Sequence, residues 1–256
     1  MTTARSIGPT DEVVVDEYDD RAVLLLNRPG KRDAVNLAID EALHDVCAFL
    51  ERSPRVLLIG GVGATFAAGA DVGELARRSH RGALNGCVNP SVFARVRSLP
   101  MPTIALADGY VLGTGAELAY ACDFRLGTTR TRIGNPEVSL GNAAAAGTMW
   151  RLRELVGELL AKEMLLAGRM LTPIEAASAG LLNKVVEPED LLAEGHHLAD
   201  RIALGSPDAV RRTKLVLDSH PGAYPALDDA AQAVRSGPTE QAGRMPGFLE
   251  RGRSGG

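Results

Sequence analysis

The 256-residue chain has room for one α/β domain, or two small ones, around a sizeable core. Hydrophobic residues make up 45% and charged residues 23%, the balance of a soluble globular protein rather than a disordered or fibrous one. The 28 Lys and Arg against 32 Asp and Glu leave a net charge of −4, which gives no electrostatic case for nucleic acid or an anionic membrane as partner.

The opening "MTTARSIGPT" carries no apolar signal core, and no apolar run reaches membrane-spanning length. Three scattered cysteines, Cys47, Cys87 and Cys122, argue against a disulfide scaffold and for a reducing, cytoplasmic location. Residues 12–26 read as two strands joined at the acidic turn Tyr18-Asp19-Asp20. A Pro/Gly loop, "RPGKRDAVN", follows and carries Arg28, Lys31, Arg32 and Ala34. Asn36 is placed to cap a helix whose apolar positions Ile39, Leu43, Val46 and Leu50 recur at helical spacing. "RVLLIGG", "MPTIALADG" and "DFRLGT" have the composition of buried parallel strands separated by helices.

Beyond residue 141 helical patterns dominate: 144–167, 173–180, 188–204, 207–217 and 223–236, with one short strand in "GLLNKVVEPEDL". The expected organisation is therefore an α/β core over 1–195 and a helical region over 196–256, with a soft boundary. The terminal "RGRSGG" reads as disordered. His196 and His197 are adjacent, on an expected exposed helix face. The five histidines form no ligand pattern, so no metal site is expected.

Three segments carry candidate chemistry. "FAAGADVGEL" at 66–75 follows a strand and leads into a helix. It reads either as a tight turn that needs Gly69 or as small residues letting a ligand reach free backbone N–H groups. "IALADGYVLGTGAELAYACD" is strand, glycine-rich turn and helix, with Glu117 in the first helical turn. An acid there is favoured by the macrodipole alone. Its neighbours, however, are nearly all apolar or small, and burial among them raises a carboxyl pKa into the range of a general acid or base. In "RIGNPEVSLGN", Glu137 sits in a loop, far enough beyond Glu117 for the chain to return and set the two acids face to face. "GGVGATF" lacks the third glycine and the distant acid of a dinucleotide fingerprint. No nucleophile elbow or phosphate loop occurs.

Together, "LNRPGKRDAVN", "ATFAAGADVGEL", "LPMPTIALADGYVLGTGAELAYACDFRL", "NPEVSLG", "LTPIEAASAGLLNKVVEPEDL" and "GRMPGFLERG" resemble the enoyl-CoA hydratase/isomerase (crotonase) family over nearly the whole chain. Each motif is weak, but their order and spacing are specific. The resemblance implies a crotonase-like α/β fold, a spiral core of repeated ββα units with a helical C-terminal trimerisation region, assembled as a trimer or a dimer of trimers. It implies an acyl-CoA thioester as substrate and no cofactor besides the coenzyme A that the substrate carries. By motif position, the backbone N–H groups of Ala70 and Thr114 form an oxyanion hole, and Glu117 and Glu137 are the catalytic pair. Ala34, Ala68, Ala70, Asp71, Val72 and Gly73 line the acyl-CoA site. Arg28, Lys31 and Arg32 lie where relatives place basic residues near CoA phosphates.

Two departures stand out. Thr114 replaces the usual glycine at the second oxyanion position, and "GNAAAAGT" replaces the usual Pro/Gly-rich turn after Glu137. Trp150, close behind, reads as core packing or a pocket border. Hydration of a 2-enoyl-CoA is the leading expectation. Double-bond isomerisation or another acyl-CoA chemistry of the family is the enzymatic alternative, and a catalytically silent acyl-CoA-binding protein is the alternative of another class.

Overall fold

The computed structural model describes residues 5–6, 11–71, 73, 90–145 and 147–219. Among them the strands are β1 (Arg5–Ser6), β2 (Val13–Glu17), β3 (Arg21–Leu26), β4 (Val56–Gly61), β5 (Thr103–Ala107), β6 (Tyr110–Leu112), β7 (Phe124–Thr128), β8 (Arg132–Gly134), β9 (Met170–Leu171) and β10 (Lys184–Val186). The helices are α1 (Leu37–Arg52), α2 (Pro90–Arg97), α3 (Thr114–Ala121), α4 (Thr148–Val156), α5 (Glu158–Leu166), α6 (Pro173–Ser178), α7 (Leu191–Ala203) and α8 (Pro207–Asp218).

The larger sheet has the order β1-β2-β3-β4-β5-β7-β10. Its first three strands are antiparallel neighbours, and every pairing from β3 onward is parallel. The antiparallel edge follows from the turn at Tyr18, whose N–H donates to Arg21 O at 2.9 Å. All five residues of β5 and the first five of β4 are buried, as expected of parallel strands covered on both faces. A smaller sheet has the order β6-β8-β9. Two successive units, β5-β6-α3 and β7-β8 followed by a 3-10 helix at Pro136–Leu140, each send one strand to the large sheet and the next to the small one. This is the repeated ββα plan of the sequence reading.

Helix α1 begins as anticipated. Asn36 is extended, and its Oδ1 accepts from Ile39 N at 3.0 Å, a cap that contributes about 1 kcal/mol. Ile39, Leu43, Val46 and Leu50 are all buried.

The helix expected over 144–167 is instead two helices behind a non-helical stretch. Alanine favours helix, but here the backbone is committed elsewhere: Asn142 N donates to Glu137 O at 3.0 Å and Ala145 N to the Glu117 side chain at 2.6 Å. The break between α4 and α5 is Gly157, at φ 78 and ψ 167, a conformation reserved in practice for glycine. Trp150 is not core: its side chain is half exposed, with the Arg97 guanidinium 5.0 Å above its ring. Of the histidine pair, His197 is exposed. His196 is half-buried edge-on against Tyr18, because its position on α7 points toward β3 rather than solvent.

The chain divides into two compact units, one through Ile202 and one from Ala203. In the second unit the described helix is α8, with Pro207 in its first turn and Lys214 paired to Asp218 at 3.0 Å. The expected helix at 223–236, the segment "GRMPGFLERG" and the terminal "RGRSGG" lie outside the described residues. No helix among the described residues is long and apolar enough to cross a membrane. No three His, Cys, Asp or Glu side chains among them group as they would around a metal ion.

Candidate active site

The site begins where two backbone segments run side by side. Ala67 and Val111 form a parallel bridge, with Ala67 N donating to Tyr110 O at 3.1 Å and Leu112 N to Ala67 O at 3.0 Å. Three residues further along each segment lie Ala70 and Thr114. On the other side, Val35 bridges Ala70: Val35 N donates to Gly69 O at 2.8 Å, and Asp71 N to Val35 O at 2.9 Å. In that parallel pattern the N–H of Ala70 itself faces away from Val35. Thr114 opens α3, where amides have no helical acceptor. Among the described residues, neither the Ala70 nor the Thr114 amide has a hydrogen-bond acceptor. The turn between β6 and α3 is Gly113, at φ 52. A Cβ there would lie 3.2 Å from Glu137 Oε1, so glycine supplies both the backbone conformation and the room for the carboxylate.

Glu117 sits in the first turn of α3 and is 6% exposed. Its Oε1 accepts from Ala145 N at 2.6 Å. Burial pushes its pKa up to about 7, and the nearby Glu137 charge adds to the rise. The Ala145 N–H and the Thr148 hydroxyl oppose it, since donors favour the charged form. Glu137 lies in the 3-10 helix after β8, with Oε1 accepting from Asn135 Nδ2 at 3.2 Å. Its Oε2 is buried and has no hydrogen-bond partner among the described residues. Asn135 Oδ1 in turn accepts from the Tyr120 hydroxyl at 3.0 Å. The two acids that the sequence pointed to are thus brought together, one with a pKa near neutrality and the other with an open carboxylate oxygen.

The remaining candidates fall into two groups. Ala34, Ala68, Ala70 and Asp71 are half-buried along the laced segments, and Ala68 N donates to Arg32 O at 3.0 Å. Gly73 is exposed, with its N–H on Asp71 Oδ1 at 3.0 Å. Val72 lies outside the described residues. Arg28 donates to Asp71 Oδ2 at 2.9 Å and Ala34 O at 2.6 Å and pairs with Glu12 at 3.2 Å. Its charge clamps the 28–34 loop to the 68–71 segment, whereas Lys31 and Arg32 stand exposed.

Sequence reasoning missed Ala145, Thr148, Asn135 and Tyr120. Asn135 had a visible signal, two residues before Glu137 in "NPEV". The Ala145 amide had none, because a backbone donor leaves no trace in residue type.

A family model described as enoyl-CoA hydratase/isomerase matches residues 18–232. The chain is 36% identical to the crotonyl-CoA hydratase of Syntrophomonas wolfei over 80% of each chain. It is 37% identical to the 2,3-dehydroadipyl-CoA hydratase of Escherichia coli, over 80% of this chain and 81% of that one. The crystal structure of an enoyl-CoA hydratase from Bacillus anthracis superposes with a TM-score of 0.87 at 28% identity, covering 94% of this chain and 96% of the other.

Proposed function

This chain belongs to the enoyl-CoA hydratase/isomerase family and is an enoyl-CoA hydratase, and we propose that Glu117 and Glu137 carry its chemistry beside an oxyanion hole formed by the Ala70 and Thr114 amides. The observation that carries this reading is the convergence of two carboxyl groups on the turn that leaves both amides without an acceptor. The thioester oxygen sits between the two N–H groups. As water adds, negative charge develops on that oxygen, and each preorganised donor lowers the barrier by about 3 kcal/mol. The two glutamates hold the water. One accepts its proton as the hydroxyl bonds to C3, and a carboxylic acid proton passes to C2, so the net change is addition of one water. A Glu117 pKa of about 7 keeps both protonation states populated at neutral pH, which suits a reaction that runs in both directions.

Lys31 and Arg32 are the free charges available to the CoA phosphates, and Arg28 shapes the loop that carries them. The reaction asks for no cofactor beyond the coenzyme A of the substrate. The protein works in the cytoplasm, in keeping with three cysteines scattered along the sequence, and assembles as a trimer or a dimer of trimers.

The test is loss of the conjugated-thioester absorbance of crotonyl-CoA and longer 2-enoyl-CoAs. Turnover that Glu117→Gln and Glu137→Gln each abolish is the expected result. Turnover surviving in Glu117→Gln but not in Glu137→Gln would replace hydration with isomerisation. Binding of CoA thioesters without turnover would make the chain a silent binder.

A further inference from the structure

Tyr120 lies three residues beyond Glu117 on α3 and is 1% exposed. It has no place in the chemistry above, yet it ends a chain of hydrogen bonds that reaches it: Tyr120 hydroxyl to Asn135 Oδ1, then Asn135 Nδ2 to Glu137 Oε1. Asn135 is also 1% exposed, so water does not compete for either end of its carboxamide. An ionised carboxylate only accepts, so the amide must turn its NH2 toward Glu137 and its oxygen elsewhere. A hydroxyl that donates to that oxygen makes the opposite orientation unfavourable. Burial holds the phenol proton well above the ordinary tyrosine range, so Tyr120 remains a donor wherever the enzyme works.

We propose that Tyr120 is a positioning residue for the hydration reaction: it locks the Asn135 carboxamide so that Nδ2 anchors Glu137 Oε1 and leaves Oε2 to meet the reacting proton. The proposal rests on Glu137 being a catalytic carboxylate. Without the phenol, the buried Asn135 oxygen lacks a donor, the amide samples its flipped orientation, and that orientation sets oxygen against oxygen at Glu137. The loss appears in the chemical step rather than in substrate binding, because the chain of hydrogen bonds ends on the Glu137 carboxylate.

The experiment uses the full chain and crotonyl-CoA, with Tyr120→Phe, Asn135→Leu and the double variant, each checked for folding by circular dichroism and thermal melting. Tyr120→Phe is expected to lower kcat about tenfold with KM within about twofold of wild type. The double variant is expected to be no slower than Asn135→Leu alone, because the tyrosine acts only through the asparagine. Replacing Tyr120 by 3-fluorotyrosine, which keeps ring and donor, should restore kcat to within about twofold of wild type. Tyr120→Phe at the wild-type rate beside an inactive Glu137→Gln would overturn the positioning role while leaving the carboxylate reading intact. Losses that multiply in the double variant would overturn it too, by making Tyr120 an independent packing residue. An active Glu137→Gln would instead remove the carboxylate reading, and the proposal with it.

Discussion

The Ala145 amide donates to Glu117 Oε1 at 2.6 Å. An alanine-rich stretch that looks like helix is thereby the strap that holds the Glu117 carboxyl group. The bond favours the charged carboxylate, so removing it raises the Glu117 pKa further above about 7. Ala145→Pro deletes the N–H. The acid limb of the pH profile of kcat/KM is expected to move to higher pH, with a loss of about ten- to a hundredfold at neutral pH. An unmoved limb in a pH-rate series would show that the strap does not set this ionisation.

Glu117 also couples function to stability. Its folded pKa of about 7 lies above the ordinary value of 4.5. Between those values the folded state binds more protons than the unfolded state, so stability falls as pH rises through that window. The gap corresponds to about 3 kcal/mol at most. Glu117→Gln is therefore expected to be the more stable protein at pH 8, by up to about 3 kcal/mol, with the advantage fading toward pH 4.5. Chemical unfolding at several pH values measures this directly.

Thr114 offers its backbone, not its side chain. Thr114→Pro removes the amide at the first position of α3, where proline is well tolerated by a helix. Turnover is expected to fall by about a hundred- to a thousandfold while melting changes little. Thr114→Gly keeps the donor, and its kcat on crotonyl-CoA should stay within about fivefold of wild type. Any larger change in the ranking of longer acyl chains would locate the effect of the threonine in substrate choice.

The exposed pair Lys31 and Arg32 should act on CoA binding alone. The double alanine variant is expected to raise KM about tenfold without changing kcat, and added salt should shrink the difference. Arg28→Ala differs in kind. It takes the guanidinium away from Asp71 and Glu12, so its signature is a lower melting temperature. Equal salt-sensitive KM effects in both variants would return Arg28 to the phosphate-binding set.

Residue type and order were enough to locate the strands β2 to β5, β7 and β10, the cap at Asn36 and the acids Glu117 and Glu137, because hydrophobic periodicity and capping chemistry act over a few neighbouring residues. The pairing of Ala67 with Val111, which places Ala70 and Thr114 abreast, joins segments far apart in the chain and has no local signature beyond small residues. The same holds for Arg28, whose ion pairs with Asp71 and Glu12 join segments that only the fold makes neighbours. Trp150 read as core packing or a pocket border, yet only the packing around it sets its exposure. The alanines at 143–145 carry helix propensity worth a fraction of a kcal/mol each, and the hydrogen bond from Ala145 to the distant Glu117 outweighs it. Local chemistry named the acids; long-range hydrogen bonds, from Ala145 to Glu117 and from Tyr120 through Asn135 to Glu137, set how each is held, because a carboxylate's pKa and aim depend on donors that the chain delivers only when it has folded.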